Sequence, residues 1–562
     1  MKSLESVNDF VIKFANVNGT GSASANNLFA KALFRMGLPV SPKNIFPSNI
    51  QGLPTWYEVR VSEKGYLGRR GGVDIALSVN PQSMPQDIQE VESGGYFIYD
   101  NTKPLDLRLL RNDVTIIGIP LTRICNEQYK DPRQRQLFKN VIYVGALAAL
   151  LDMDFKVLTS LVEDQFKGKE KLVLPNIHAL ELGHQYARAN LQSPIGIRVE
   201  KRDEVGDKIL LDGNTALGLG ALYGGASVAA WYPITPSTSV VDAYEKYAKR
   251  VRIDPGTGRR NYAIVQAEDE LSAIGMVIGA SWNGARSFTA TSGPGVSLMS
   301  EFLGLAYFAE IPTVLFNVQR AGPSTGMPTR TQQSDVLSCA YASHGDTKQV
   351  QLFPSTPKEC FDFGALSFDL AERLQTPILL MTDLDLGMND NMSEPLAWDD
   401  DREYDRGKVV TAEQLEAGEE FGRYVDVDGD AICYRTSPGT HPERGAFFTR
   451  GTSRDEMAVY TERGEEYESN MLRLMRKWDT IKEYVPRPEI ISCGHDTDTG
   501  VLYFGTSEES SREALAYLAE EGIHLDAMRV RSFPFNDEVK GFIEQHKQVY
   551  VIEQNRDSQL RT

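Results

Sequence analysis

The chain has 562 residues, 41% hydrophobic and 24% charged, ordinary values for a globular protein that at roughly 150 residues per domain forms three or four compact units. Its formal charge of −18 excludes a phosphate-neutralising nucleic-acid binder, which needs a basic surface. No basic segment leads into an apolar stretch at the start and no run of about 18 apolar residues occurs, so neither signal peptide nor membrane span is expected and the protein reads as cytoplasmic.

In chain order, residues 11–15 read as a strand running into Asn18-Gly19-Thr20-Gly21-Ser22, followed by a helix over 25–36 that ends at Gly37. Strand, glycine turn, helix is the opening of a parallel α/β domain. Further strands are expected at 73–79, 96–99 and 114–119, and helices at 140–151 and 176–189. Polar sequence over 192–208, with Pro194 and clustered charges, has the composition of a linker. A second α/β unit starts near Asp212, with strands at 262–266, 286–290, 313–318 and 378–382 and helices at 270–282 and 357–373. From 389 to 484 the sequence turns acidic, aromatic and glycine-rich with weak periodicity, which predicts a long excursion packed on the core. A last α/β unit has strands at 501–504 and 549–553 around a helix at 510–521.

Cys125, Cys339, Cys360, Cys433 and Cys493 form no CxxC pair, so this chain builds no local zinc or iron–sulfur site, and its seven histidines show no HExxH spacing. Gly19-Thr20-Gly21 lacks the third glycine of a dinucleotide fingerprint, Ser24 standing in its place, and is read as a tight turn. No GxxxxGK[ST] segment is present, which disfavours a P-loop enzyme.

The distinctive region runs from Tyr232 to Asp335. Tyr232-Pro233-Ile234-Thr235-Pro236-Ser237 is a stiff loop, its prolines fixing φ on either side of hydroxyl residues. Glu268, Asp269 and Glu270 close an apolar strand and open a helix, where acids are ordinarily partners of the helix dipole. Glu270 also precedes Gly275, Gly279 and Gly284, which leave a nearly bare face that something flat could approach. Thr291-Ser292-Gly293-Pro294-Gly295 follows the next strand, and the loop from Gln319 to Arg330 follows the one after. Three ligand-type loops thus sit after strand C-termini, where open α/β sheets place their sites.

These segments, YPITPST, QAEDE, TSGPG and QRAGPSTGMPTRTQQSD, resemble the pyrimidine-binding domain of the thiamine-diphosphate-dependent 2-oxoacid:ferredoxin oxidoreductases. Residues 1–190, with Gln51-Gly52-Leu53-Pro54-Thr55-Trp56-Tyr57, resemble the family's gamma domain, and the fused gamma-plus-alpha layout is that of its two-subunit members. The C-terminal unit, with Arg531-Ser532-Phe533-Pro534-Phe535 and Glu553-Gln554-Asn555, resembles its transketolase-C-terminal-like domain. The resemblance implies an α/β fold made of a gamma-type domain over 1–190, a pyrimidine-binding domain over 209–388, the excursion over 389–484 and the transketolase-like domain over 485–562.

It also implies roles. Glu270 is similar in position to the glutamate on the cofactor's aminopyrimidine, and Tyr232, Pro233, Thr291, Ser292 and Gly293 fall in the cofactor-binding segments. Arg320 matches the arginine that holds the 2-oxoacid group, Thr235 a hydroxyl beside it and Thr329 a position affecting substrate choice. Arg330 is added as a partner for a second carboxylate, its plain alternative being a solvated loop charge. No GDG…N segment is present to hold a diphosphate through Mg2+. The resemblance therefore implies a beta subunit supplying that site and a 4Fe-4S cluster, an (αβ)2 heterotetramer, coenzyme A as substrate and ferredoxin as electron acceptor. The fused layout and the GPSTGMPTR loop favour 2-oxoglutarate as substrate. Pyruvate or another 2-oxoacid is the alternative within this chemistry, and a non-catalytic scaffold subunit is the alternative outside it.

Overall fold

The computed structural model describes residues 3–48, 52–418 and 421–562, so Gln51 of the gamma-like stretch lies outside the described residues. The chain forms two compact units, one of residues 1–210 with Asn389–Glu394, the other of 211–388 with 395–562. The excursion thus begins with a short segment that belongs to the first unit.

The first unit is built on six strands: β1 (Asp9–Val17), β2 (Val40–Ile45), β3 (Pro54–Ser62), β4 (Val73–Ser78), β5 (Val91–Asp100) and β6 (Thr115–Ile119), in the order β2-β3-β1-β4-β5-β6. β1, β4, β5 and β6 are parallel, while β3 pairs antiparallel with both β1 and β2. Helices α1 (Ser22–Arg35), α2 (Pro132–Leu150) and α3 (Val173–Asn190) accompany the sheet. Phe10, Ile12 and Phe14 of β1 share a core with Phe29 and Leu33 of α1 and with Tyr143 and Leu147 of α2. Gly19 and Gly21 both have positive φ, and the Thr20 hydroxyl donates to the Val17 carbonyl at 2.8 Å, which makes this loop the tight turn expected. Residues 192–208 are not a free linker. Ile197–Arg198 pairs in parallel with Ser6–Val7, and the Arg202 and Glu204 amides donate to Met36 and Gly37 carbonyls at 2.9 Å. Their backbone groups find partners along the first unit, which composition does not reveal.

The second unit carries β7 (Val228–Trp231), β8 (Ala263–Gln266), β9 (Ser287–Thr291), β10 (Thr313–Gln319), β11 (Val350–Leu352) and β12 (Pro377–Asp383). Its helices include α4 (Gly213–Tyr223), α5 (Thr238–Val251), α6 (Glu270–Trp282), α7 (Gly293–Ala309), α8 (Pro357–Leu374) and α9 (Gly464–Ile481). A smaller sheet contains β13 (Glu489–Ile491), β14 (Thr499–Tyr503), β15 (Asp526–Arg529) and β17 (Gln548–Ile552), while β16 (Ser532–Phe533) leaves it to pair antiparallel with β11. The large sheet runs β8-β7-β9-β10-β12-β11-β16, parallel throughout except at β16. Val314, Phe316 and Val318 of β10 point into one core, with Leu217 and Phe361, while Leu315 points into the other, with Val277 of α6 and Met299 of α7. Helices therefore cover both faces, as a parallel sheet requires. No described helix is long and apolar enough to cross a membrane.

Candidate active site

Strands β8, β7, β9 and β10 are neighbours and parallel, so the loops that follow them emerge along one edge of the sheet. That edge gathers Tyr232 to Ser237, Glu270, Thr291 to Gly295 and Arg320 to Arg330.

Glu270 is the first residue of α6, whose N-cap Asp269 accepts from the Ser272 amide at 2.7 Å. Asp269 thus takes the ordinary capping role and leaves Glu270, which is buried, free of it. A side chain at Gly295 would lie 2.0 Å from Thr291 Oγ1 and 2.9 Å from Glu270 Cγ, so Glu270, Thr291 and the bare first turn of α7 are in contact. Gly293 does not lie in a loop but opens α7, with Pro294 in the first turn, where the missing N–H is harmless. The Thr291 and Ser292 hydroxyls are buried and find no hydrogen-bond partner among the described residues. Buried hydroxyls are ordinarily satisfied, so these two are available to a polar ligand.

Arg320 follows β10 and is buried, its Nη1 donating at 2.7 Å to the Thr235 carbonyl. Thr235 itself is exposed, as are Tyr232 and Pro233. The YPITP loop therefore meets Arg320 through its backbone. Burial holds the Arg320 guanidinium below its ordinary value, opposed by the nearby carboxylates of Asp335 and Glu270. The loop beyond Arg320 closes on itself, the Ala321 amide donating to the Arg330 carbonyl and the Met327 amide to the Ala321 carbonyl, both at 2.9 Å. Arg330 turns its Nη1 onto Thr329, 2.8 Å from the carbonyl and 3.1 Å from Oγ1, and Thr329 is buried.

Asp335, the last residue of the QRAGPSTGMPTRTQQSD run, received no role from the sequence. Its Oδ2 accepts from Asn317 Nδ2 at 3.1 Å and its amide donates to Gln319 Oε1 at 3.1 Å. Burial raises its carboxyl to about 6, opposed by the Asn317 hydrogen bond and the Arg320 charge. Asn317 and Gln319 alternate with hydrophobic residues on buried β10, and polar residues at such positions are the signal that could have disclosed this contact. The C-terminal sheet reaches the same segment. Gln333 and Gln554 exchange hydrogen bonds at 3.0 and 3.2 Å, and Asn555 Nδ2 donates to the Gln333 carbonyl at 2.9 Å. The Glu553-Gln554-Asn555 motif thus fastens the stretch that delivers Asp335.

The edge combines a buried carboxylate, a buried guanidinium and hydroxyls without partners among the described residues at the strand ends of a doubly wound α/β sheet, where such sheets place their sites. Residues 219–471 match the family model described as pyruvate flavodoxin/ferredoxin oxidoreductase, thiamine diP-bdg, and residues 11–186 match that of pyruvate ferredoxin/flavodoxin oxidoreductase. The chain is 30% identical to the 2-oxoacid:ferredoxin oxidoreductase 2 subunit alpha of Aeropyrum pernix, over 98% of this chain and 92% of that one. It is 31% identical to the 2-oxoglutarate synthase subunit KorA of Methanocaldococcus jannaschii, over 61% of this chain and 88% of that one. A solved 2-oxoglutarate:ferredoxin oxidoreductase from Magnetococcus marinus, with 2-oxoglutarate, coenzyme A and succinyl-CoA bound, superposes with a TM-score of 0.87 at 28% identity, covering 98% of this chain and 93% of that one. The chain belongs to the 2-oxoacid:ferredoxin oxidoreductase family, as an alpha subunit.

Proposed function

We propose that this subunit serves the oxidative decarboxylation of 2-oxoglutarate with coenzyme A to succinyl-CoA and CO2, the electron pair passing to ferredoxin, and that the reaction is reversible. The observation that carries the proposal is the contact cluster of Glu270, Thr291 and Gly295 beside Arg320 and Asp335. It suits the aminopyrimidine half of thiamine diphosphate, since a buried carboxylate opens a helix beside two hydroxyls that lack partners among the described residues. When bound, that cofactor supplies a nucleophilic carbon and an electron sink for decarboxylation.

Glu270 would hold a proton shared with the ring nitrogen N1′, and Tyr232, Pro233, Thr291, Ser292 and Gly293 would shape the slot around it. Arg320 would grip the 2-oxoacid carboxylate, oriented by its bond to the Thr235 carbonyl. Thr329 and Arg330, tied to each other, would face the far carboxylate.

The site needs a second chain. Leu271 is 41% exposed, Met276 43%, Leu298 56% and Met327 58%, an apolar rim on α6, α7 and the Arg320 loop that suits a protein partner. We assign that place to a beta subunit bringing the diphosphate site, Mg2+ and a 4Fe-4S cluster, in an (αβ)2 assembly in the cytoplasm. The relatives named for 2-oxoglutarate favour that substrate. Turnover of the co-expressed pair with a panel of 2-oxoacids tests it: 2-oxoglutarate should exceed pyruvate in kcat/KM by more than about tenfold, as expected where a second carboxylate is read by a charged group. Faster turnover of pyruvate would overturn the substrate assignment.

A further inference from the structure

Beyond the active site, the second unit holds an unusual concentration of buried positive charge. Arg286, Arg423, Arg435, Arg454, Arg473 and Lys477 are all buried. Glu310, at the C-terminal end of α7, is buried and bonded to Arg473 at 3.1 Å and Lys477 at 2.9 Å. Glu372 of α8 takes Arg286 at 2.7 Å and Arg406 at 3.0 Å, with Arg435 at 3.7 Å, and partly buried Asp369 shares Arg286. The C-terminal ends of α6 and α7 each add about half a unit of negative charge. Among the described residues, three carboxylates and two helix ends leave the six buried cations with about two positive charges in excess.

Into this cluster opens a small cleft of about 20 Å³, lined by Ser281 and Trp282 at the end of α6, by Glu310, and by Arg423, Arg435 and Thr449. Arg423 Nη1 and Arg435 Nε are buried N–H groups with no acceptor among the described residues. Thr449 Oγ1 accepts from Trp282 Nε1 at 2.8 Å, which leaves its own proton to donate. The carboxylate in the lining, Glu310, is already engaged. Donors therefore outnumber acceptors, and the enclosed part of the cleft suits an occupant little larger than water.

We propose that this cleft is a binding site for a small monovalent anion of the halide class, chloride first, which ties the segment 395–484 to the end of α6, the helix that begins with Glu270. An anion accepts every donor present and offsets the excess charge. A water would satisfy the donors but leave the charge unchanged. Burial pushes the Arg435 guanidinium down to about 10, opposed by the Glu372 carboxylate and aided by Arg406, Arg423 and Arg286.

The test uses the enzyme purified with its partner subunit. Thermal unfolding is followed at fixed ionic strength while sodium gluconate, whose anion is a bulky carboxylate, is replaced by sodium chloride or bromide. A saturable rise of about 1–3 °C is expected, as mass action requires of a ligand bound only by the folded state. Arg435→Gln should remove the halide increment. Should that variant fail to fold, crystals of the unaltered enzyme grown in bromide decide, with an anomalous peak expected within hydrogen-bond distance of Arg423 Nη1 and Arg435 Nε. Equal melting in gluconate and chloride, an increment retained in Arg435→Gln, or water alone at the position in bromide crystals would each overturn the proposal.

Discussion

The carboxylate of Asp335 occupies the space that a side chain on Gly293 would need, both of its oxygens lying 2.7 Å from the position of the missing Cβ. The N-terminus of α7 is thereby held against the end of β10, and a carboxyl group is set between Asn317 and the Arg320 charge. Its value of about 6 against 3.8 for an ordinary aspartate means that the folded protein keeps a proton which the unfolded chain has already lost. Stability is therefore lost as pH rises from about 4 through 6, by at most about 3 kcal/mol. Asp335→Asn should remove that loss: the variant should melt higher than the parent at pH 7.5, with the advantage shrinking toward pH 5. A constant difference across that range would show that Asp335 does not titrate there.

Gly295→Ala should impair activity more than folding. The added methyl would meet Thr291 Oγ1 at 2.0 Å and Glu270 Cγ at 2.9 Å, so Glu270 or Thr291 must move. A displacement near 1 Å at a reacting group costs on the order of 10²-fold. Adding Thr291→Ala removes the nearer clash and should restore part of the rate, with melting temperatures changing little. Full activity in the single variant would mean that Glu270 tolerates the shift and is not held in place by this glycine.

Arg320→Lys keeps the charge but should lower kcat/KM for the 2-oxoacid more than tenfold. The guanidinium donates to the Thr235 carbonyl through Nη1 and in the proposed role keeps N–H groups for the substrate carboxylate, which a single ammonium does not reproduce. Steady-state kinetics of the co-expressed pair would show it, and an unchanged value would place Arg320 outside the substrate site.

Glu270→Gln should abolish turnover while preserving the fold, since the amide keeps the shape but shares no proton. The loss expected of a positioned acid is about 10²–10⁴-fold. Activity within threefold of the parent would remove Glu270 from the mechanism.

The strand-end loops were legible because glycine, proline and hydroxyl residues mark them against apolar strands, and the bounds of α6 came directly from its apolar run between Glu270 and Trp282. The contact of Glu270 with Thr291 was not legible, because it depends on a Cβ absent from Gly295 and hence on three-dimensional approach. β2 was hidden by its own composition, Val-Ser-Pro-Lys-Asn-Ile, which borrows its β character from pairing with β3. In β3 the alternation of Tyr57, Val59 and Val61 is present, but it is short and only its Tyr57 end falls in the gamma-like motif. α9 defeated the hydrophobic pattern for a physical reason. Its buried stripe, Asn470, Arg473, Leu474, Lys477, Trp478 and Ile481, has helical spacing, but half of it is polar because Arg473 and Lys477 turn inward to Glu310. Periodicity measured in hydrophobicity misses a helix whose buried side is satisfied by ion pairs.

Expressed without a partner, this chain should bind neither an iron–sulfur cluster nor thiamine diphosphate with useful affinity. Four of its five cysteines are buried and none lies in a CxxC pair, and no cluster of three or more metal-binding side chains occurs among the described residues. Four thiolates are needed for a cysteine-ligated cluster. No GDG…N segment is present to bring a metal to the diphosphate. What remains for the cofactor is Glu270 with the Thr291 and Ser292 hydroxyls, too small a set of contacts to offset immobilising a flexible, highly charged ligand. The exposed apolar rim of Leu271, Met276, Leu298 and Met327 should be covered when the partner binds. Affinity should therefore appear only in the assembled pair, the pyrimidine against this chain and the diphosphate against the other. Isothermal titration with cofactor and magnesium, of the chain alone and of the co-purified pair, separates the cases. Micromolar binding to the isolated chain would overturn this division of labour, whereas binding that appears only with the partner, and weakens on Leu298→Glu through loss of the pair, would establish the rim as the face that completes the site.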